Sequence, residues 1–282
     1  MALARDFFRE LFCLLDRDRL LSDPAADGSG VRVALVDTGV DAERIAQRCR
    51  QRGLEPPRIQ GVIFGSAGLA GAAGVSSPWQ VLPYLGRHSA PHGTTVADIL
   101  LQLAPRVELF SADVFGPEGN CTVEKLVQAL HWAVTTWQCK LINISLGVSE
   151  ERLHSPGRRQ ALWQAIQFCY SHDVVLVAAA HNDHPLVLSF PAVITPPLLS
   201  VRKGELENPL QFRYAPDTFT EFQAHSRGYM GPFADTPATS WAAAHLTGIA
   251  ARLLSLKPDL KPFEIKTLLY WLSNASAGEN PK

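Results

Sequence analysis

Three residues of the 282-residue chain have the types needed for nucleophilic catalysis, and each stands among small neighbours: Asp37 in Asp-Thr-Gly, His92 in His-Gly-Thr and Ser240 in Thr-Ser-Trp-Ala-Ala. A serine hydroxyl becomes a good nucleophile when an adjacent imidazole removes its proton. A buried carboxylate fixes the tautomer of that imidazole and stabilises its charged form. Together, the three side chains could activate Ser240 for attack on a carbonyl carbon.

Each motif also has a structural interpretation when it is taken alone. The Asp-Thr-Gly tripeptide could form a turn after a strand. His92 could cap a helix, and serine is a favoured residue at a helix N-cap, which is the alternative for Ser240. The joint occurrence in the order Asp, His, Ser favours chemistry, because this is one of the chain orders known for nucleophilic triads.

The elements that must position these residues follow from the hydrophobic pattern. Apolar strand-like runs alternate with helical patterns; the strands are 31–36, 141–145 and 174–179, and the helices are 124–137, 161–171 and 242–256. Strands that are apolar on both faces and alternate with helices predict an α/β fold, a parallel sheet flanked by helices on both faces. Chemistry gathers beyond the carboxyl ends of such strands, where Asp37, Ser145 and Asn182 fall.

Composition limits the classes of partner. Apolar residues make up 46% of the chain, charged residues 19%, and the formal net charge is −1. This balance gives no electrostatic reason to predict nucleic acid or an anionic membrane as partner, and no apolar run is long enough to span a bilayer. No acid-rich calcium loop appears, so we predict no metal and no cofactor.

The cysteines indicate a reducing compartment. Five of them are scattered through the chain without a C-x-x-C pair, so a disulfide framework or zinc site is not expected. The N-terminal segment mixes acidic and basic residues with apolar ones, unlike a signal peptide. Both features predict a cytoplasmic protein.

Five segments resemble the motifs of the subtilisin-like serine proteases (subtilases), in the family order from about residue 31 to residue 272. They are the aspartate motif VALVDTGV (33–40), the histidine motif HGTTVA (92–97), the pocket strand INISLG (142–147), the strand VVLVAAAHN (174–182) and the nucleophile helix ATSWAAAHLTG (238–248). The resemblance implies the three-layer subtilisin-like fold and cleavage of a protein or peptide substrate. It gives no partner protein.

The resemblance also assigns roles. It implies that Asn182 and the backbone N–H of Ser240 bind the oxyanion. It further implies that a peptide lies between the backbone of Ser145, Leu146 and Gly147 and a loop at 116–120 that contains Gly119. A plain turn is the alternative for this loop.

Two departures from the family pattern flank the expected pocket: His181 replaces glycine and Trp241 replaces methionine. We expect Trp241 to form a wall near the leaving-group side and His181 to restrict the primary pocket. Narrow specificity is then expected, because both residues add bulk. The alternatives are an inactive scaffold that binds peptide segments and a transpeptidase or macrocyclase with the same triad.

The expected domain organisation is simple. An amphipathic helix at 1–22 and a linker at 23–30 precede a peptidase domain at 31–275 and a flexible tail at 276–282, with a Gly/Ala/Ser-rich surface loop at 65–78. The short N-terminal extension resembles that of intracellular family members, which lack a long propeptide. The predicted helix could shield the active site or pack as an additional core helix.

Overall fold

The structure, a computed structural model, describes residue 18 and residues 22–66, 79–234 and 236–274. Most of the predicted N-terminal helix, most of the predicted loop at 65–78 and the predicted tail therefore lie outside the described residues. Nine strands lie in the described part of the chain: β1 (Arg32–Asp37), β2 (Ile59–Ser66), β3 (Trp79–Pro83), β4 (Glu108–Asp113), β5 (Leu141–Ile144), β6 (Val175–Ala179), β7 (Leu199–Gly204), β8 (Phe212–Tyr214) and β9 (Phe222–His225).

The strands form one sheet in the order β3-β2-β4-β1-β5-β6-β7-β9-β8. Its seven inner strands run parallel, whereas β3 and β8 pair antiparallel with their neighbours at the two edges. The central strand β1 pairs with β4 on one side and β5 on the other. The carboxyl end of β1 therefore lies in the middle of the sheet edge, where residues from neighbouring strands can converge.

Six helices lie within the same described residues: α1 (Ala42–Gln51), α2 (His92–Leu103), α3 (Val123–Thr135), α4 (Pro156–Ser171), α5 (Thr239–Leu256) and α6 (Pro262–Asn274). One core contains buried residues of α1, α2, α5 and α6, and the other contains buried residues of α3 and α4. In β1, Val33 and Leu35 face the first core, whereas Ala34 and Val36 face the second. This alternation explains why the strand is apolar throughout and confirms the predicted α/β class.

Helix α5 begins at Thr239, three residues before the predicted start at 242. Ala238 is its extended N-cap residue, with φ −140° and ψ 152°. Helix α4 likewise begins earlier than predicted, at Pro156, a residue type suited to the first helical turn. The early start of α5 puts Ser240 in the first turn, where backbone N–H groups have no partner within the helix.

The segment at 23–30, which the sequence predicts to be a linker, lies against the folded part of the chain that follows it. The backbone N–H of Arg106 donates to the Asp27 carbonyl, with an N–O distance of 3.0 Å. A side chain at Gly28 would clash with Val107, because an added Cβ would lie 2.6 Å from its Cγ1. Packing and a backbone hydrogen bond therefore hold this segment beside the start of β4, while the proposed domain boundaries stay predictions.

Candidate active site

Asp37 and His92 form a hydrogen-bonded pair at the carboxyl end of β1. Asp37 is the last residue of that strand and is 1% exposed. Nδ1 of His92 lies 2.8 Å from Oδ1 and 3.0 Å from Oδ2 of the carboxylate. A carboxylate can only accept, so Nδ1 carries the proton and Nε2 of the neutral ring is left as the basic nitrogen.

Gly93 allows α2 to approach β1 closely enough for this pair to form. An added Cβ at Gly93 would lie 2.3 Å from the Gly39 carbonyl oxygen and 3.1 Å from Oδ1 of Asp37. The backbone N–H of Gly93 donates to Oγ1 of Thr38 at 3.0 Å. The small residues after His92 and Asp37 are thus required by backbone contact between the two motifs.

The Asp37 carboxylate also sets the basicity of His92. Burial disfavours the charged imidazolium, but the charge of Asp37 and its hydrogen bond outweigh that effect. The pKa of His92 is therefore raised above its ordinary value. Asp37 thus makes His92 a stronger base than an isolated imidazole.

Ser240 lies beside the end of β5. Its hydroxyl donates to the Ser145 carbonyl at 3.3 Å, and the Ser145 hydroxyl donates to the Ser240 carbonyl at the same distance. Asn143 donates to the Ser145 hydroxyl at 2.7 Å and accepts from Thr247 of α5 at 2.9 Å. This buried network fixes the nucleophile helix against the predicted pocket strand.

The ring of Trp241 connects Ser240 to the Asp37–His92 pair. Trp241 follows Ser240 in α5, and its ring centroid lies 4.9 Å from that of His92. Nδ1 of His92 faces Asp37, so the opposite side of the imidazole remains for the serine. In this structure the Ser240 hydroxyl is directed to the Ser145 carbonyl.

Asn182 is fixed in a defined orientation near the start of the loop that follows β6. Its side-chain oxygen accepts from the backbone N–H and the hydroxyl of Thr239, at 2.9 and 3.2 Å. Because a backbone N–H can only donate, the oxygen must face Thr239 and the NH₂ group must point elsewhere. Asn182 is exposed, so the two N–H donors of its amide are accessible to a bound molecule.

The loop at 116–120 is held by a buried lysine that sequence analysis missed. Lys125 lies in the first turn of α3, and its side chain is 2% exposed. Nζ donates to the carbonyls of Phe115 and Asn120, at 3.3 and 3.1 Å, and contacts Glu118 Oε2 at 2.9 Å. No motif marks this residue, because its partners become neighbours only when the loop turns back onto α3.

Gly119 lies at the exposed part of this loop, with φ +65° and no atom within 4 Å of an added Cβ. The loop borders the segment after β5, because the Arg152 guanidinium donates to the Cys121 carbonyl at 3.3 Å. Leu146 is half-buried and Gly147 is exposed, so backbone of this segment is open to a ligand. The use of Gly119 and of residues 145–147 for substrate binding stays a prediction.

Ser189 is a second residue that sequence analysis missed. An added Cβ at Gly147 would lie 1.7 Å from Oγ of Ser189, so the serine fills the space beside this glycine. The next residues, Val148 and Phe190, exchange two backbone hydrogen bonds at 2.8 and 3.0 Å. Ser189 therefore lies directly beside a segment predicted to bind the substrate.

The structure gives different outcomes for the two departures from the family pattern: the burial of Trp241 disagrees with its expected role, whereas the expected role of His181 is not tested. Trp241 is 2% exposed and packs between His92 and Phe233, so almost none of its surface is left to form a wall for the leaving group. His181 accepts from the backbone N–H of Asp183 at 3.1 Å, with its side chain 42% exposed. Its ring folds towards its own loop, and restriction of the pocket by His181 stays a prediction.

The described residues contain neither a candidate metal-ligand cluster nor a candidate membrane-spanning helix. Within them, no group of three or more His, Cys, Asp or Glu side chains could hold a metal ion. Across the same part of the chain, no helix is long and apolar enough to cross a membrane.

Comparisons with known proteins agree with this geometry. The chain is 27% identical over 255 residues to M-protease of Shouchella clausii, covering 86% of this chain but 58% of that protein, less than two thirds of its length. It is 26% identical to subtilisin BL of Lederbergia lenta, covering 86% of this chain and 82% of that protein.

Solved structures share the fold. The S41 psychrophilic protease is 20% identical, with a TM-score of 0.64, 86% of this chain and 83% of that chain covered. The prenylagaramide maturation protease PagA is 22% identical, with a TM-score of 0.59, 90% of this chain and 85% of that chain covered. The model of the subtilase family, Peptidase S8, matches residues 28–281. The chain therefore belongs to the subtilase family.

Proposed function

We propose that this chain is a serine endopeptidase that cleaves peptide bonds through an acyl-enzyme on Ser240. The observation that carries the proposal is the Asp37–His92 pair, with Nδ1 2.8 Å from the carboxylate, beside the first turn of the helix that contains Ser240. Family membership supports the same chemistry.

In the proposed reaction, the Ser240 hydroxyl turns from the Ser145 carbonyl towards Nε2 of His92 and attacks the scissile carbonyl carbon. His92 takes the hydroxyl proton, and the resulting imidazolium is stabilised by Asp37. His92 then gives this proton to the departing amine, which leaves the acyl group on Ser240. Water, deprotonated by the same imidazole, hydrolyses the ester and restores the hydroxyl.

The oxyanion formed during attack needs hydrogen-bond donors. The NH₂ group of Asn182 is one candidate, since its oxygen is already engaged by Thr239. The backbone N–H of Ser240 is another, because it lies in the first turn of α5 and has no acceptor within that helix. The positive end of the same helix dipole favours negative charge at this point.

We further propose narrow specificity for a particular protein or peptide. The support is the closed space beside Gly147, where Ser189 leaves no room even for a methyl group. A substrate lying along the exposed backbone there would meet the Ser189 side chain rather than an open pocket. One structural neighbour, PagA, is named for the maturation of one product, prenylagaramide, which agrees with this idea at the level of the fold.

We propose the cytoplasm as the place of action. The support comes from Cys49, Cys121, Cys139 and Cys169, which are all free and buried. Burial raises the pKa of the Cys121 and Cys169 thiols to about 12, so these side chains stay protonated and unreactive. Free buried thiols are typical of proteins in a reducing compartment.

A serine-directed fluorophosphonate probe tests the proposed activity. We expect stoichiometric labelling of the wild-type chain and none of Ser240→Ala, with intact mass and peptide mapping locating the adduct. A folded wild-type chain that resists the probe would support the inactive scaffold instead. Product masses from cleaved peptides then separate hydrolysis, which adds one water, from transpeptidation or macrocyclisation, which adds none.

A further inference from the structure

His92 lies in an aromatic enclosure made by two residues from the C-terminal half of the chain. The Trp241 ring is 4.9 Å from the His92 ring between centroids and tilted by 32°. Phe233 approaches edge-on at 6.2 Å and 78°, and also contacts Trp241 at 5.6 Å. The imidazole is therefore held at its Nδ1 edge by Asp37 and on its face by an indole.

Trp241 is itself held at both ends. The indole N–H donates to the Thr236 carbonyl at 3.0 Å. The Trp241 carbonyl accepts from Nδ1 of His245 at 2.7 Å, and Nε2 of His245 pairs with the Tyr229 hydroxyl at 3.0 Å. Burial lowers the pKa of His245 to about 3, so it stays neutral and this arrangement does not change near neutral pH.

The contact between His92 and Trp241 becomes more favourable when His92 is protonated. A cation within about 6 Å of an indole centroid is attracted by the ring electrons, and the attraction grows when water is excluded. His92 becomes such a cation when it takes the proton of Ser240. Among the described residues, the charge that acts on His92 comes from Asp37 on β1. Helix α5 and the short helix Gly231–Phe233 contribute aromatic rings that contact the imidazole.

We propose that Trp241 is a positioning residue for the base: its indole holds the His92 ring in the plane that serves both Asp37 and Ser240, and it stabilises the imidazolium formed during catalysis. The catalytic part of this statement rests on the proposed function. The contact between the two rings does not, because it exists in the free protein.

Replacement of the indole separates this role from simple packing. Trp241→Phe keeps an aromatic face, whereas Trp241→Leu removes it. Trp137 provides a matched control, because it is also buried and stacks on an aromatic ring, Phe110, at 5.3 Å and 30°, in the other core. Trp137→Leu removes an indole of the same kind far from His92.

We expect Trp241→Leu to lower kcat about tenfold with KM within about twofold, and to move the acid limb of the kcat/KM profile to lower pH by about half a unit or more. Trp241→Phe should recover most of both effects. Trp137→Leu should lower the melting temperature without moving the limb. An unshifted limb in a folded Trp241→Leu chain, or a limb shifted equally by Trp137→Leu, would overturn the proposal.

An NMR titration of His92 in the Ser240→Ala background needs no catalysis, with the signal assigned by its loss in His92→Gln. We expect a lower midpoint when Trp241→Leu is added and an intermediate one with Trp241→Phe. If these midpoints differ but the wild-type chain neither hydrolyses peptide nor takes the probe, the proposed function fails while the ring contact stands. Coincident midpoints would overturn the role of Trp241 whatever the activity.

Discussion

The side-chain oxygen of Asn182 accepts two hydrogen bonds from Thr239, the residue that precedes Ser240. The loop after β6 and helix α5 are thereby joined beside Ser240, where we propose that the oxyanion forms. The same contact orients the two amide protons of Asn182 away from Thr239. This relationship separates the structural role of Asn182 from its proposed role in the reaction.

Asn182→Asp tests that separation. The carboxylate retains the acceptor for Thr239 but lacks N–H donors, so the loop should stay in place while oxyanion stabilisation is lost. We expect kcat to fall about 10²–10³-fold, or about 2.7–4 kcal/mol, with little change in KM; this magnitude comes from subtilisin, a member of the same family. Asn182→Ala should lose comparable activity and also some thermal stability. A pure KM effect in both variants would make Asn182 a substrate-binding residue instead.

The pH dependence of kcat/KM should depend on Asp37. His92 acts as a base when it is neutral, so activity rises with pH through its pKa, which Asp37 raises. In Asp37→Asn burial still disfavours the cation while the carboxylate is gone, so the acid limb should move to lower pH. The rate should also fall by about 10⁴-fold, as in other triads.

Asp113→Asn is the matched control for that profile. Asp113 pairs with Asp37 in the register of β4 and β1 and is equally buried, but its carboxylate binds Ser89 and the backbone of Phe115 and Gly116. The acid limb of the kcat/KM profile of Asp113→Asn should lie at the same pH as that of the wild-type chain. The Asp37–His92 pair also contributes to stability, fully below the ordinary pKa of histidine and less as pH rises through the raised folded value. Equal limbs in all three proteins would exclude Asp37 as the partner that sets the pKa of His92.

Gly147→Ala should be strongly disruptive, because its methyl group would meet the Ser189 hydroxyl. We expect a loss of about 1–3 kcal/mol in the free energy of unfolding, measured by urea denaturation. Ser189→Gly in the same chain should recover part of this loss, since it removes the obstructing atoms. Fully additive losses in the two single variants and the double variant would mean that the two residues do not share this space.

Ser189→Gly alone should broaden the range of side chains accepted in a positional peptide library, because it opens space beside Gly147. His181→Gly is the informative comparison. The family resemblance predicts that His181→Gly broadens the range of accepted side chains. The contacts of His181 with Asp183 predict instead that this range is unchanged. A broadened profile with His181→Gly and an unchanged one with Ser189→Gly would assign the restriction to His181.

Lys125→Met should loosen the loop that contains Gly119. Methionine can occupy much of the same buried volume, but it leaves the Phe115 and Asn120 carbonyls without their donor. We expect a loss of about 1–3 kcal/mol in stability. If the loop binds substrate, KM should rise several-fold with kcat nearly unchanged. Unaltered KM in the destabilised protein would leave this loop as a plain turn.

Much of the fold and the triad could be predicted from the sequence because the signals are local. The apolar runs that become β1, β5 and β6 mark strands buried on both faces, and their alternation with helices requires a covered parallel sheet. Asp37, His92 and Ser240 stand out because backbone contact demands small neighbours, as the clash at Gly93 illustrates. Helix boundaries were less accurate: the extended N-cap at Ala238 starts α5 before its apolar pattern begins.

The remaining features depend on contacts between distant parts of the chain, which no local pattern encodes. Ser189 lies against Gly147 because the segment after Asn182 returns to pair with Val148. Trp241 faces His92 because α5 and α2 pack in the same core, and this contact turns an expected substrate wall into a support for the base. The sequence alone determined which residues could carry out the chemistry, since residue type and nearest neighbours decide reactivity. The tertiary structure decided what surrounds them, since packing direction depends on the whole sheet.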